Sequence, residues 1–546
     1  MKSYAASLRA FAEVFANPRV RNVMLADVGS TLGTWAYGVA LPIYAYHAGG
    51  PRAVGLLFFA RFLLAALAAP WLGLLADRRS RRQLMLIADI VRVVIFAGIT
   101  AVAVAGGSAY LVYVLAITST IISGSYGPAQ AALMPTLVDS PEELTAANVV
   151  GNTINSVGMF AGPAVAGILL GLSGPAAAFA LNGALFVWSA LFIAQVPRDK
   201  PPPRPERPRF LPELMAGFTT VLSRPALRVV VGLTGALTIV DGMFDVLLVV
   251  LALRILHSGN ASLGWLYTAI GVGCIAGAFL VAALVTRRRL AGGLALGVLV
   301  SSIPLALAGT VSTLAPAIVL IGALGFGGII VEVYSVTLMQ RSADNEVLGR
   351  VFACLQTLTL GALALGSLVA PSIVSWLGPR GSLIAAGAVG PVLLLPLWPK
   401  LRRIDDGSVI AEEPLEVLRR IEIFAELPEP VLERLAGGVT AVSVAADQIV
   451  VSRGEVGNHF YAIASGKAAV DRDDGTTREL GPGDFFGEIA LLRDVPRTAT
   501  VRALEPLRLF AVERDEFLLA VTGHSPTLAN AENIVTTRLP AGALAG

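Results

Sequence analysis

Twelve separate stretches of mostly apolar residues, each near bilayer-crossing length, fill the chain before residue 400. They lie near 21–46, 53–76, 83–105, 109–135, 146–171, 176–196, 227–256, 261–285, 290–310, 314–338, 350–376 and 381–399. A helix needs about 20 such residues to span the hydrocarbon core. In lipid a segment must satisfy its own backbone hydrogen bonds, which a helix does within itself. Between the sixth and seventh stretches stands VPRDKPPPRPERPRF, too charged and proline-rich to continue a membrane helix. The expected fold is a polytopic α-helical membrane protein with twelve transmembrane helices in two six-helix halves.

Charge defines a second region. Only 14% of the 546 residues are charged and mean hydropathy is +0.73, whereas a soluble domain carries about a quarter. Residues 1–400 hold 26 Lys+Arg against 15 Asp+Glu, and the last 146 hold 15 against 23. A soluble domain is therefore attached after residue 400. Arginines and lysines gather on one side of the spans, at Arg19, Arg21, Arg78, Arg79, Arg81, Arg82, residues 198–209, Arg287 to Arg289 and Lys400 to Arg403. The other side has Arg52, Arg254 and Arg380. The positive-inside bias puts both termini and the central linker in the cytoplasm, and the protein in a cell membrane, embedded in the lipid bilayer. The domains read as an N-terminal cytoplasmic segment 1–20, a first six-helix half 21–196, a linker 197–226, a second six-helix half 227–400, connecting helices 401–437 and a soluble domain 438–546. Leu8, Phe11, Val14 and Phe15 fall at helical spacing, fitting either an interfacial helix or a cytosolic tail.

Cys274 and Cys354 sit in apolar runs and four histidines are scattered, so neither a disulfide framework nor a metal site is expected. No nucleophile–base set suggests an enzyme, no basic stripe interleaved with aromatics suggests nucleic acid, and no pore-filter motif suggests a channel.

After the second stretch comes Gly73-Leu74-Leu75-Ala76-Asp77-Arg78-Arg79-Ser80-Arg81-Arg82. It resembles the cytoplasmic signature of the major facilitator superfamily, with Ser80 where glycine is usual. The resemblance implies a conformational latch through Gly73, Asp77, Arg78, Arg81 and Arg82, with Gly162 and Pro163 of the fifth stretch as further members. A carboxylate can sit at a helix N-terminus, and arginines can pair with carboxylates or lipid phosphates. The fifth stretch holds Gly158-Met159-Phe160-Ala161-Gly162-Pro163-Ala164-Val165-Ala166-Gly167. This resembles the motif of proton-coupled exporters, with Ala166 replacing one glycine. Small residues every fourth position allow close helix approach, and Pro163 removes a backbone donor. GPAQAALMPTLVDSPEELTAAN also resembles the branch of enterobactin exporters and drug:proton antiporters.

Ionisable residues inside a membrane are costly and usually face a cavity. Asp241 and Asp245, at i and i+4, share a helix face, and two such carboxylates resist double ionisation. They are candidates for proton coupling or substrate contact, or for a structural pairing such as one with Arg61. Asp27, Arg61 and Glu332 are further candidates, while Asp89 and Arg92 read as a local ion pair. Trp35, Tyr37, Tyr44, Tyr46 and Tyr334 could line a cavity or form an interfacial belt.

From about residue 438, short alternating runs with Gly, Asp and Pro turns predict a cytoplasmic β-barrel (jelly roll) with flanking helices. Inside it, Phe486-Gly487-Glu488-Ile489-Ala490-Leu491-Leu492 leads to Pro496-Arg497-Thr498-Ala499-Thr500-Val501. This resembles the phosphate-binding cassette of cyclic nucleotide-binding domains. The resemblance implies that a short helix beginning near Gly487 presents free N–H groups to the phosphate and that Arg497 binds it. Glu488 accepts from the ribose hydroxyl, and backbone at Ala499 adds a donor. Thr498 leaves the base open between cAMP, which is favoured, and cGMP. The whole is expected to be a secondary transporter, a proton-coupled exporter of a small amphipathic solute, regulated by cyclic nucleotide. Oligomers could form through the nucleotide-binding domain. The alternatives are a receptor without transport and a constitutive transporter with a structural barrel.

Overall fold

The computed structural model describes residues 14–199, 210–284, 290–342, 345–407, 412–471 and 476–538, with side chains at 73–78, 210–214, 282–284, 341–342 and 345–353 among those outside the description. Leu8, Phe11 and the proline-rich linker 200–209 lie outside the described residues. The chain divides into two compact units, Met1–Asp406 and Gly407–Gly546.

In the first unit α1 runs Pro18–Arg78, α2 Arg81–Val104, α3 Ala109–Ser123, α4 Tyr126–Leu133, α5 Pro141–Leu172 and α6 Pro175–Gln195. After them come α7 (Phe210–Ser223), α8 (Pro225–Val250, extended by a π turn Leu251–Ile255), α9 (Ala261–Leu284), α10 (Leu290–Ala308), α11 (Leu314–Ser342) and α12 (Asn345–Gly407). A straight helix of 61 residues, the length of α1, would measure about 90 Å, three times the hydrocarbon thickness. It does not run straight. Gly50 adopts φ 65° and ψ −159°, a region open essentially to glycine, and Pro51 then opens the next leg with a φ suited to a first helical turn. Gly378 (φ 72°) and Pro379 divide α12 in the same way. Gly174 (φ 74°) and Pro175 open α6. Among the described residues ten helices are long and apolar enough to cross a membrane. Two of these helices, α1 and α12, are each divided into two legs, at Gly50 and at Gly378.

Helix α7 occupies ground where the sequence predicts only a linker. It is distinguished from its proline-rich approach by the run Leu211 to Leu222, and the described part of the linker before it ends at Asp199.

Helices α1, α2, α5 and α6 pack on one another in the first half, and α9, α10 and α11 in the second, while α5 meets α9 across the halves. One apolar core joins both, bringing Leu41, Ile43 and Phe58 together with Leu248, Leu251 and Leu266. Small residues set the closest approaches. A Cβ on Gly162 would stand 2.6 Å from Trp35 Cβ, and one on Gly167 3.1 Å from Gly264 Cα. One on Gly55 would stand 2.6 Å from the Ser367 carbonyl. The motif of the fifth stretch thus serves two partners. Gly158 and Gly162 admit α1, and Gly167 admits α9 in the other half.

In the second unit, α13 (Glu412–Arg420) and α14 (Glu429–Gly438) precede eight strands. These are β1 (Thr440–Val444), β2 (Ile449–Val451), β3 (His459–Ser465), β4 (Ala468–Asp471), β5 (Thr477–Leu480), β6 (Phe485–Phe486), β7 (Thr500–Ala503) and β8 (Leu507–Glu513). Helix α15 (Glu488–Arg493) interrupts them, and α16 (Arg514–Thr522) and α17 (Ser525–Arg538) follow. The strands form two four-stranded antiparallel sheets, ordered β1-β8-β3-β6 and β2-β7-β4-β5. The alternating runs give one face to each sheet's interior. Phe460 stacks on Phe517 with centroids 4.8 Å apart and meets Phe424 at 5.3 Å, which seats the flanking helices on the barrel.

Candidate functional sites

The membrane unit gathers its ionisable side chains into separate groups. Arg61, ten residues into the second leg of α1, donates from Nε to Thr120 Oγ1 of α3 at 2.9 Å. Its guanidinium lies 4.8 Å from the Phe58 ring centroid and 5.4 Å from that of Tyr37. Asp245 of α8 accepts a short hydrogen bond from the Tyr267 hydroxyl of α9 and lies in the field of Arg61. Asp241, one turn away and exposed, has Glu332 of α11 as its charged neighbour. The two aspartates thus have different neighbours, Glu332 of α11 for Asp241 and Tyr267 of α9 for Asp245. Asp27 accepts from Thr31 Oγ1 at 3.4 Å, with Gln130 nearby. Tyr37 is buried at 4% exposure against Phe96 and Phe179, a core position with only its hydroxyl left over.

Asp89 and Arg92 form the expected ion pair at 2.8 Å, with side chains 0% and 3% exposed. Ser189 of α6 donates to Asp89 at 2.7 Å, and the Arg92 guanidinium lies 4.2 Å from the Phe186 ring centroid. This knot binds α2 to α6.

At the start of α2 the signature residues are held by a carboxylate that the sequence reading passed over. Asp199 accepts from Ser80 Oγ at 2.5 Å, from Arg81 N at 2.7 Å and from Arg82 N at 3.1 Å. Partial burial pushes this carboxyl up, but the donors from Ser80, Arg81 and Arg82 outweigh it and hold it below the usual carboxylate range. Arg82 in turn donates to the Ala194 carbonyl at 2.6 Å, satisfying an end of α6. Gly73, Asp77 and Arg78 lie outside the described side chains, so the latch has no geometry there.

In the second unit, Gly487 takes φ 98° at the head of α15. A Cβ there would stand 2.5 Å from Arg497 Nη1, and one on Gly457 2.5 Å from Arg497 Cζ. Two glycines thus make the slot that holds the guanidinium. Arg497 is 6% exposed and donates from Nη1 to the Gly487 carbonyl at 3.0 Å and from Nη2 to the His459 carbonyl at 2.7 Å. Its backbone is pinned as well, with N donating to Glu455 O at 2.8 Å and O accepting from Gly454 N at 2.9 Å. Burial lowers the guanidinium from its ordinary value, opposed by Tyr461, Glu488 and Glu455. It remains a cation, as arginine does in proteins, with five N–H groups of which the two carbonyls use two. Glu488 is 2% exposed, Ile489 and Ala499 are half-buried, Phe486 and Ala490 are buried, and Thr498 is exposed. A buried cation beside a buried carboxylate, in a cradle that one methyl would fill, fits a cyclic phosphate at Arg497 and a ribose hydroxyl at Glu488. Among the described residues no cluster of three or more His, Cys, Asp or Glu could hold a metal ion.

The family model of the Major Facilitator Superfamily matches residues 23–361. The chain belongs to the Major Facilitator Superfamily. The match starts within α1 and ends within α12, so the bundle described above is the superfamily's transporter body. A crystal structure of a POT family transporter in complex with 5-aminolevulinic acid aligns with 70% of this chain and 96% of its own. Its TM-score is 0.57 at 12% identity, a likeness of fold. The model of the cyclic nucleotide-binding domain matches residues 441–522, from β1 to the end of α16.

Joined to the superfamily body, then, is a region that matches the cyclic nucleotide-binding domain. Over 102 residues the chain is 36% identical to a cAMP-dependent protein kinase regulatory subunit from Yarrowia lipolytica, covering 18% of this chain and 27% of that one. Over 128 residues it is 34% identical to a cGMP-dependent protein kinase from Eimeria tenella, covering 23% and 13%. The chain spans about a quarter or less of the length of these two relatives. With its superfamily body and its apolar helices, this is a multi-pass membrane protein.

Tyr267, Thr120 and Asp199 were missed by sequence reasoning. A tyrosine amid apolar residues carries no signal of a carboxylate partner 22 positions away. Asp199 could have been found, since an acidic residue just beyond a helix is a ready cap for a neighbouring helix start.

Proposed function

We propose that this protein is a secondary active transporter in the cell membrane whose cytoplasmic nucleotide-binding domain adjusts its activity. One observation carries the reading: a Major Facilitator bundle with ionisable side chains in its membrane-spanning helices continues, in one chain, into a cassette whose arginine is seated and buried between Gly457 and Gly487. The solute is a small amphipathic molecule moved in exchange for protons, and Asp241, Asp245, Asp27, Arg61 and Glu332 are the groups that couple the two. Both termini face the cytoplasm, as the arginine bias supports. The ligand is cAMP by preference. The protein has no enzymatic activity of its own.

Control requires that the nucleotide favour one state of the transporter over another, and a tenfold difference in affinity corresponds to about 1.4 kcal/mol. The path from the cassette to α13 starts at β3, whose His459 carbonyl takes Arg497. Strand β3 packs on α13, and Arg508 of β8 fastens Glu413 of α13 at 2.6 Å. Helix α13 is the first element of the second unit after α12.

The test is solute flux in proteoliposomes with cAMP or cGMP on the sensor side, for wild type and Arg497→Glu. Flux that changes with nucleotide in wild type and not in the mutant supports the reading. Nucleotide dependence surviving in Arg497→Glu overturns it. Flux equal with and without nucleotide leaves a constitutive transporter with a structural barrel.

A further inference from the structure

The interior of the bundle contains donors that no part of the chain answers. Arg61 has its plane fixed by Thr120 at Nε and by the rings of Phe58 and Tyr37 on its faces. Among the described residues neither of its terminal Nη groups has a hydrogen-bond acceptor. The Tyr37 hydroxyl is likewise buried without a partner, and it lies in the field of the same guanidinium. Counting about 1.5 Å per residue from the turn at Gly50, Arg61 and Tyr37 both stand roughly 15–20 Å deep, near the middle of a bilayer. A buried donor left unmatched costs stability. The buried Tyr37 hydroxyl and the half-buried Arg61 fork, one neutral and one charged, call for an acceptor from outside the chain.

We propose that Arg61 and the Tyr37 hydroxyl form the recognition point for a solute bearing a single carboxylate on an apolar or aromatic body, with Asp245 as its built-in competitor. The inference rests on the transporter reading and names the solute class for it. A carboxylate presents two acceptor oxygens in a plane, which the planar fork of a guanidinium matches. Asp245 stands close enough to feel Arg61, yet it is bonded to Tyr267 and makes no ion pair with the guanidinium. The fork is therefore left to an incoming anion that must outbid a neighbouring carboxylate. One guanidinium opposed by one aspartate suits one negative charge. The apolar body would lie against Phe58, Phe62 and Phe244, which sit in or on the same core.

The probes are labelled salicylate and decanoate as carboxylates, and tetraphenylphosphonium as a cation. Binding is measured on the purified full-length protein by scintillation proximity, then flux in proteoliposomes. Arg61→Gln should weaken salicylate or decanoate binding by about tenfold or more, and Arg61→Lys should restore part of it by keeping the charge without the fork. Tyr37→Phe should weaken binding by about three- to tenfold through one lost hydrogen bond. Asp245→Asn should tighten it. Size-exclusion profiles and melting curves establish that each variant is folded. Carboxylate binding absent from folded wild type, or equal in wild type and Arg61→Gln, overturns the site. Binding with the expected mutant pattern but no flux of any probe upholds the site and overturns the transporter reading. Flux of tetraphenylphosphonium without carboxylate binding does the reverse.

Discussion

Asp199, beyond the end of α6, closes the start of α2 by accepting from the Ser80 hydroxyl at 2.5 Å and two backbone amides. A helix N-terminus has four amides with no partner inside the helix and an excess of positive charge. One carboxylate answers both needs from outside α2, which ties the chain leaving the sixth span to the signature loop.

Removing that cap should be measurable. Asp199→Ala is expected to cost about 1 kcal/mol, the usual worth of a polar helix cap, read as a lower melting temperature in detergent. The pH dependence has a definite sign. The folded carboxyl lies below its ordinary value of 3.8, so its contribution is fully present above that value and disappears as pH falls through the folded one. The gap between wild type and Asp199→Asn should be constant near neutrality and shrink in acid.

Gly487→Ala should silence the nucleotide site while sparing the barrel. The substitution puts a side chain at φ 98° and a methyl 2.5 Å from Arg497 Nη1. Calorimetry should show affinity for cAMP reduced by about tenfold or more, the result of displacing a charge-assisted contact. Gly457→Ala should act in the same direction without the backbone strain.

How much of this was legible in the sequence depended on how local each feature is. The strands of the second unit fall where alternating runs break at turn residues, and the cassette is readable because Gly487, Glu488 and Arg497 are near one another in the chain. The ionisable interior was readable as residues but not as pairs. Asp241 and Asp245 look coupled along one helix, yet their partners Glu332 and Tyr267 come from helices that only folding brings near. Tyr37 read equally well as cavity wall or belt and is a core residue instead, because side-chain type alone does not say which way a helix faces. Helix α7 was hidden by the prolines before it.

The buried pair Asp89–Arg92 should be intolerant of losing one member. Asp89→Ala leaves a buried guanidinium with only ring and carbonyl contacts, and breaking such a pair costs about 3–5 kcal/mol. The double variant Asp89→Leu/Arg92→Met should recover most of that loss. Denaturation of the detergent-solubilised protein across the four combinations measures the coupling.

Arg254, at the end of α8, donates from Nε to the Tyr46 hydroxyl of α1 at 2.6 Å and so ties the two halves together. Tyr46→Phe removes that bond at an exposed site, worth about 0.5–1.5 kcal/mol. The population with this end of the bundle open should rise by up to about tenfold. Spin labels at the ends of α1 and α8 should report a larger share of the longer distance. An unchanged distribution would show the tie to be incidental.

Among the described residues of the membrane unit, every glycine with positive φ (Gly50, Gly106, Gly174, Gly259 and Gly378) lies at a turn between spans on the arginine-poor side. Three of these turns are Gly-Pro pairs with almost no loop. Hairpins this abrupt have no slack: the two legs cannot slide past one another, so each pair must tilt as a rigid lever about its own tip. Lengthening such a tip by even a few residues would uncouple the legs. Insertions should therefore be far better borne between α6 and α8, where the chain is already long, than at Gly50, Gly174 or Gly378.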